Sequence, residues 1–177
     1  MEIWDLYTAD RVKTDRTMVR GEKPPKGYWH IVVHVCIFNA KGELLIQQRQ
    51  PFKEGWPNMW DVTVGGSAIS GDSSQQAAER ETMEEIGYRL CLDGETPALT
   101  VNVNRVFDDY YIVEREVDLS ALTLQPDEVQ AVEWATLPEV LARIAEGTFI
   151  PYHRSFIELL FFMRTRRSVR TRREGEA

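Results

Sequence analysis

The segment Arg80-Glu81-Thr82-Met83-Glu84-Glu85-Ile86-Gly87 places three carboxylates at i, i+3 and i+4. On a helix that spacing gathers them on one face, where like charges repel by about 0.2–0.5 kcal/mol per pair. They also precede a glycine closely, in the part of a helix where the macrodipole disfavours negative charge. A solvated acidic face is one account of such a cluster. The other is a divalent cation, which reverses the sign of the cost. Mg²⁺ takes hard oxygen ligands, keeps several waters and completes its shell with substrate phosphates. The upstream pair Gly65-Gly66 would let backbone approach a ligand closely. Arg80 adjoins the acids and can hold one of them in place.

Several elements must position these groups. Residues 73–86 predict a helix: Ser73 and Gln76 have capping-box spacing, and Gly87 suits the left-handed position just past the end. Residues 31–49 read as two strands joined by a turn at Asn39-Ala40-Lys41-Gly42. WDVTVGG (60–66) reads as one short strand, and 98–107, 109–119 and 129–136 as further strands. Thr136-Leu137-Pro138-Glu139 opens a helix ending at Gly147, with Pro138 in the first turn, where its missing N–H costs little. A last helix is expected over 153–167, apolar on one side. Strands mixed with helices on separate segments predict an α/β chain, one sheet covered by helices.

The chain has 177 residues, enough for one domain with a sizeable core. No stretch reaches the length of a membrane span, and the start, MEIWDLYTAD, lacks the pattern of a secretory signal. Cys36 and Cys91 lie in apolar runs without metal-ligand spacing, as small thiols in a reducing cytoplasm would. Net charge is −7, but residues 164–177 hold six arginines and two glutamates. An acidic body argues against a nucleic-acid-binding face. The basic tail is expected to be solvated and disordered, with phosphate contact as the alternative.

From Gly66 through Asp72 and Arg80 to Tyr88, the chain resembles the Nudix box, G-x5-E-x7-R-E-U-x-E-E-x-G-U, where U is a bulky apolar residue. The core pattern Arg-Glu-x-x-Glu-Glu-x-Gly arises by composition at about one start position in a million. Asp72 replaces the first glutamate and Thr82 an aliphatic residue. The flanking segments VVHVCIFNAKGELLIQQR, WPNMWDVTVGG and DEVQAVEWATLPEV resemble Nudix proteins too.

The resemblance implies a Nudix-type α/β/α sandwich with a mixed β-sheet between helices, over about residues 28–163. Residues 1–27 would be an extension, a strand pair on one side or against a second subunit. The implied activity is Mg²⁺- or Mn²⁺-dependent hydrolysis of a small-molecule diphosphate. Glu84 and Glu85 would be metal ligands, Glu81 a ligand or general base, and the Gly65-Gly66 backbone would add a carbonyl ligand. In some members the base lies on the loop before the closing strand, where Glu128 stands, with Asp127 beside it. Arg49, at the end of a strand leading to the site, could pair with a phosphate, and Trp29, Trp56 and Trp60 could stack on a base or, as is commoner for such residues, serve the core or rim, so they imply no base specificity.

The start of the chain and residues 28–66 resemble a branch related to isopentenyl diphosphate isomerases. Here Gly65 stands where their catalytic cysteine would be, and Ser67 where a histidine ligand would follow. His30 could match another isomerase ligand. His30 and His34 would share a strand face, as phosphate or metal contacts or as satisfied core histidines. A nucleotide-sensing module without turnover is a third reading. FIELLFFM could serve a homodimer or the core.

Overall fold

The computed structural model describes residues 2–165. The basic tail expected over 164–177 thus lies, from residue 166 on, outside the described residues. An N-terminal hairpin, β1 (Ile3–Tyr7) and β2 (Lys13–Val19), forms its own antiparallel pair. A mixed seven-stranded sheet follows, built from β3 (His30–Phe38), β4 (Leu44–Arg49), β5 (Trp60–Asp61), β6 (Val64–Ser67), β7 (Leu99–Val103), β8 (Val106–Glu114) and β9 (Val129–Ala135). The helices are α1 (Ser74–Ile86), α2 (Leu137–Glu146) and α3 (Arg154–Met163), with a 3-10 turn at Leu119–Ala121.

Strand β3 shows how the layers form. It is rich in β-branched residues, and its two faces are both buried. Ile31, Val33, Val35 and Ile37 point into a core shared with Ala77, Ala78 and Ile86 of α1. Cys36 and Phe38 point into a second core with Val140 of α2 and Ile157 and Leu160 of α3. That period of two sorts the side chains between the layers. The apolar stretch of α3 therefore covers the sheet, with Phe156 and Phe161 also packed there. Among the described residues, no helix is long and apolar enough to cross a membrane.

The sheet forks. Strands β3 and β4 share one paired position, Phe38 with Leu44, and then part. Residues 60–67 fill the wedge: β5 pairs with β4 and β6 with β3. One strand was expected there; two form because the segment changes partner midway. Fully buried Thr63 sits at the crossing, where its hydroxyl accepts from Ile37 N (3.0 Å) and donates to Leu45 O (2.5 Å). The expected boundary between residues 107 and 109 is also corrected. Asn104 and Arg105, both at positive φ (52° and 67°), make a two-residue turn, so β8 begins at Val106. Such a turn matches the twist of antiparallel strands. Strand β8 then runs parallel to β3.

Candidate active site

Helix α1 begins with a complete capping box, Ser73 with Gln76, and ends at Gly87 in the left-handed conformation (φ 67°). Its C-terminal carbonyls meet a neighbouring loop: Thr123 N donates to Ile86 O (3.1 Å) and Gln125 N to Glu85 O (2.9 Å). These bonds satisfy acceptors that a helix end otherwise leaves orphaned. They also fix the loop that carries Gln125, Asp127 and Glu128. Glu81, Glu84, Glu85, Glu128, Arg49, Gly65 and Gly66 all line one cavity of about 800 Å³. That volume suits a small-molecule site, roughly 300–1,000 Å³.

Gly66 lies directly over Glu81. A Cβ on Gly66 would fall 2.2 Å from the Glu81 carboxyl carbon, so glycine is required for this approach. Arg80 organises the acids around it. It donates to Asp72 (3.0 Å), Glu81 (2.9 Å), Glu84 (3.1 Å) and the Ser67 carbonyl (3.0 Å). The shorter Asp72 therefore still reaches Arg80. Thr82 is fully buried, and its hydroxyl is satisfied by Ala78 O (2.7 Å), so it replaces an aliphatic residue without an orphaned group.

Glu85 is only 6% exposed, and Gln47 of β4 donates to its Oε2 (2.8 Å). Burial pushes the Glu85 carboxyl up to about 8, against the Gln47 hydrogen bond, with nearby acids adding to the rise. Burial likewise raises Glu81 to about 7, against the pull of Arg80. Arg80 thus offsets part of the repulsion between Glu81 and Glu84, and burial disfavours the charged forms of Glu81 and Glu85. Among the described residues, their ligand atoms do not converge into a triad; Glu79, Cys91 and Asp93, elsewhere on α1 and its following loop, do so within 4.8 Å. Arg80 draws Glu81 and Glu84 together while Gln47 holds Glu85. The hard carboxylate donors nonetheless fit a divalent cation. So does Gln47 Oε1, which is buried with no hydrogen-bond partner, beside carboxylates where a cation's waters would supply donors.

Across the cavity, Lys53 pairs with Glu128. Arg49 donates its Nε to Gly55 O (3.0 Å) and has no carboxylate partner among the described residues. Lys53, Gln47, Glu2 and Arg20 were not singled out from the sequence. Gln47 alone carried a signal, since it lies two residues before Arg49 on one strand face.

Other candidates lie elsewhere. Trp29 stacks on Phe107 and donates to Asn102 (3.0 Å). Trp60 packs under Arg143 beside a different cavity. Trp56 is half-exposed but does not line the main cavity. His30 stacks on Trp4, and His34 stacks on Tyr110 with Asp108 3.5 Å away. Both histidines stand outside the cavity lining.

A family model for the NUDIX domain matches residues 28–160. An uncharacterised Nudix hydrolase of Listeria monocytogenes is 48% identical over 161 residues, covering 91% of this chain and 94% of that protein. An isopentenyl-diphosphate Delta-isomerase of Citrobacter koseri is 33% identical over 132 residues, covering 70% and 72%. A crystal structure from Deinococcus radiodurans superposes with TM-score 0.68 at 28% identity, covering 90% of this chain and 97% of that one. The chain belongs to the Nudix hydrolase family.

Proposed function

We propose that the protein hydrolyses a diphosphate bond in a small molecule, with Mg²⁺ or Mn²⁺ as cofactor. The observation that carries this is the meeting of Glu81, Glu84 and Glu85 with Arg49, Lys53 and Gly65-Gly66 in one cavity. Glu84, Glu85 and the Gly65 carbonyl would hold the divalent ion, with Glu81 beside them; the ion supplies charge neutralisation and a more acidic bound water. Arg49 and Lys53 would bind and orient the diphosphate oxygens as it enters. The attacking water forms a new O–P bond while the anhydride P–O bond breaks and phosphate leaves. Its proton passes to a carboxylate. We assign that step to Glu81, which lies against the Gly66 backbone in the cavity, with Glu128 on the neighbouring loop as the alternative. Glu128, tied to Lys53, would then hold that lysine toward the substrate.

Isomerisation draws support from the isomerase relatives. It needs a reactive thiol in this reading, and neither cysteine lines the cavity. Cys36 is fully buried in the second core, its thiol pushed well up by burial, and Cys91 is exposed on the far side of α1. The same reading keeps the protein in a reducing cytoplasm, where both remain thiols.

The test is a product screen with Mg²⁺ against nucleoside triphosphates, diphosphosugars, dinucleotides, coenzyme A and isoprenoid diphosphates, reading phosphate and pyrophosphate directly and phosphomonoester products as phosphate set free by an added phosphatase. Release from at least one class is expected. Binding without turnover across the panel favours the sensor reading, and double-bond migration with the diphosphate intact favours the isomerase.

A further inference from the structure

The N-terminal hairpin lies outside residues 28–160, the span the family model matches, yet it supplies part of the cavity wall. Its two contributions are Glu2 and Arg20, at the paired ends of β1 and β2, where Arg20 N donates to Glu2 O (3.0 Å). The hairpin is fixed to the loop that follows Gly65-Gly66. Ser70 N donates to Ile3 O (2.7 Å), and the Asp5 carboxylate accepts from Ser70 Oγ (2.8 Å) and Gly71 N (2.8 Å). The position of Arg20 relative to the site is therefore set by direct hydrogen bonds.

The cations around the cavity differ in what they have free. Arg80 is engaged by three carboxylates and a carbonyl. Arg49 and Lys53 stand on the wall formed by β4 and its following loop. On the hairpin wall stands Arg20, with one bond from Nη1 to Glu2 Oε2 (2.7 Å) and no further side-chain partner among the described residues. Its side chain is 61% exposed. Exposed ion pairs of this kind hold weakly, so exchange of Glu2 for phosphate oxygens is favoured once a polyanion enters.

We propose that Arg20 is a substrate-binding residue, a further anion clasp in the cavity that Arg49 and Lys53 also line, gripping a phosphoryl group at the hairpin side. Glu2 keeps the guanidinium in place until that group arrives. This rests on the diphosphate reading above. It adds that a segment outside the matched domain selects for substrates with an additional phosphoryl group within reach of the hairpin.

The experiment is titration calorimetry of the full chain with inorganic pyrophosphate and inorganic tripolyphosphate in the presence of Mg²⁺. It compares wild type, Arg20→Ala, Arg20→Lys and Glu2→Gln. Arg20→Ala is expected to weaken binding about tenfold, more for tripolyphosphate, and Arg20→Lys to recover part of the loss. Glu2→Gln frees the guanidinium, so its binding should be as tight as wild type or tighter. Unchanged affinity in Arg20→Ala overturns the proposal. So does equal weakening by Arg20→Ala and Glu2→Gln, which would mean that the pair merely holds the hairpin. Thermal unfolding of each variant separates misfolding from lost contact. Phosphate release by the wild type reports on the hydrolase reading independently, so either idea can fail while the other stands.

Discussion

Helix α1 bears acids on two opposite faces. Glu79 projects away from the cavity, where its Oε1 accepts from Leu92 N (2.7 Å) and it gathers with Cys91 and Asp93. Glu81, Glu84 and Glu85 lie about half a turn round the helix and line the cavity. Both groups offer three possible ligands. The outer one is largely exposed, and its glutamate is occupied by a backbone N–H, so it pins a loop. In the inner one Glu81 and Glu85 are enclosed, burial raises both carboxyls, and Arg49 lines the same cavity without a carboxylate partner among the described residues, while Glu84 is half-exposed. Enclosure and the company of Arg49, Lys53 and Gly66 separate the proposed site from a surface cluster; the count of carboxylates does not.

The contrast is broken most sharply by Glu85→Gln. Phosphate release should fall about a thousandfold while circular dichroism stays unchanged, because a ligand and its charge are lost from the enclosed group. Retained turnover would remove the distinction between the two faces. Gly66→Ala comes next. The added methyl would displace the Glu81 carboxylate, lowering turnover about 10- to 100-fold and stability by about 1–3 kcal/mol, read by kinetics and denaturant titration.

The Glu85 carboxyl titrates at about 8 in the fold against an ordinary 4.5. Between those values the unfolded chain has released its proton and the folded chain keeps it, so metal-free stability falls as pH rises from about 4.5 to about 8. Glu81 adds to the same slope over the part of that window up to about 7. Melting temperatures without metal should therefore drop across this range, Glu85→Gln should flatten the trend, and Mg²⁺ should protect most at its upper end. The smallest effect is assigned to Glu79→Gln: turnover within twofold of wild type, and a loss of about 1 kcal/mol or less from the weakened bond to Leu92.

The helix that carries the acids was readable because its signals are local. Ser73 and Gln76 make the predicted cap, and Gly87 makes the predicted left-handed stop. The sheet was readable in its strands and opaque in its pairing. Nothing in residues 60–67 announces a change of partner, since that depends on where β3 and β4 part. Asn104-Arg105 lacks a glycine, so the tight turn before β8 left a weak trace. Within the cavity, the box acids and Arg49 stood out by spacing or by motif. Gln47, Lys53, Glu2 and Arg20 reach it only through long-range folding. Trp29 and Trp60 pack against the two opposite cores, and Trp56 is exposed outside the cavity lining, as core or rim residues would be.

The fork in the sheet has a mechanical consequence. One arm, β6 held on β3, presents Gly65 and Gly66; the other, β4 with β9, presents Gln47, Arg49 and the approach to Glu128. The gap between the glycine backbone and the Gln47 and Arg49 side chains is accordingly an opening angle, braced at its vertex by the Thr63 hydroxyl. Trimming that brace with valine would act as a change of aperture, altering which molecules pass between the arms without touching a single carboxylate.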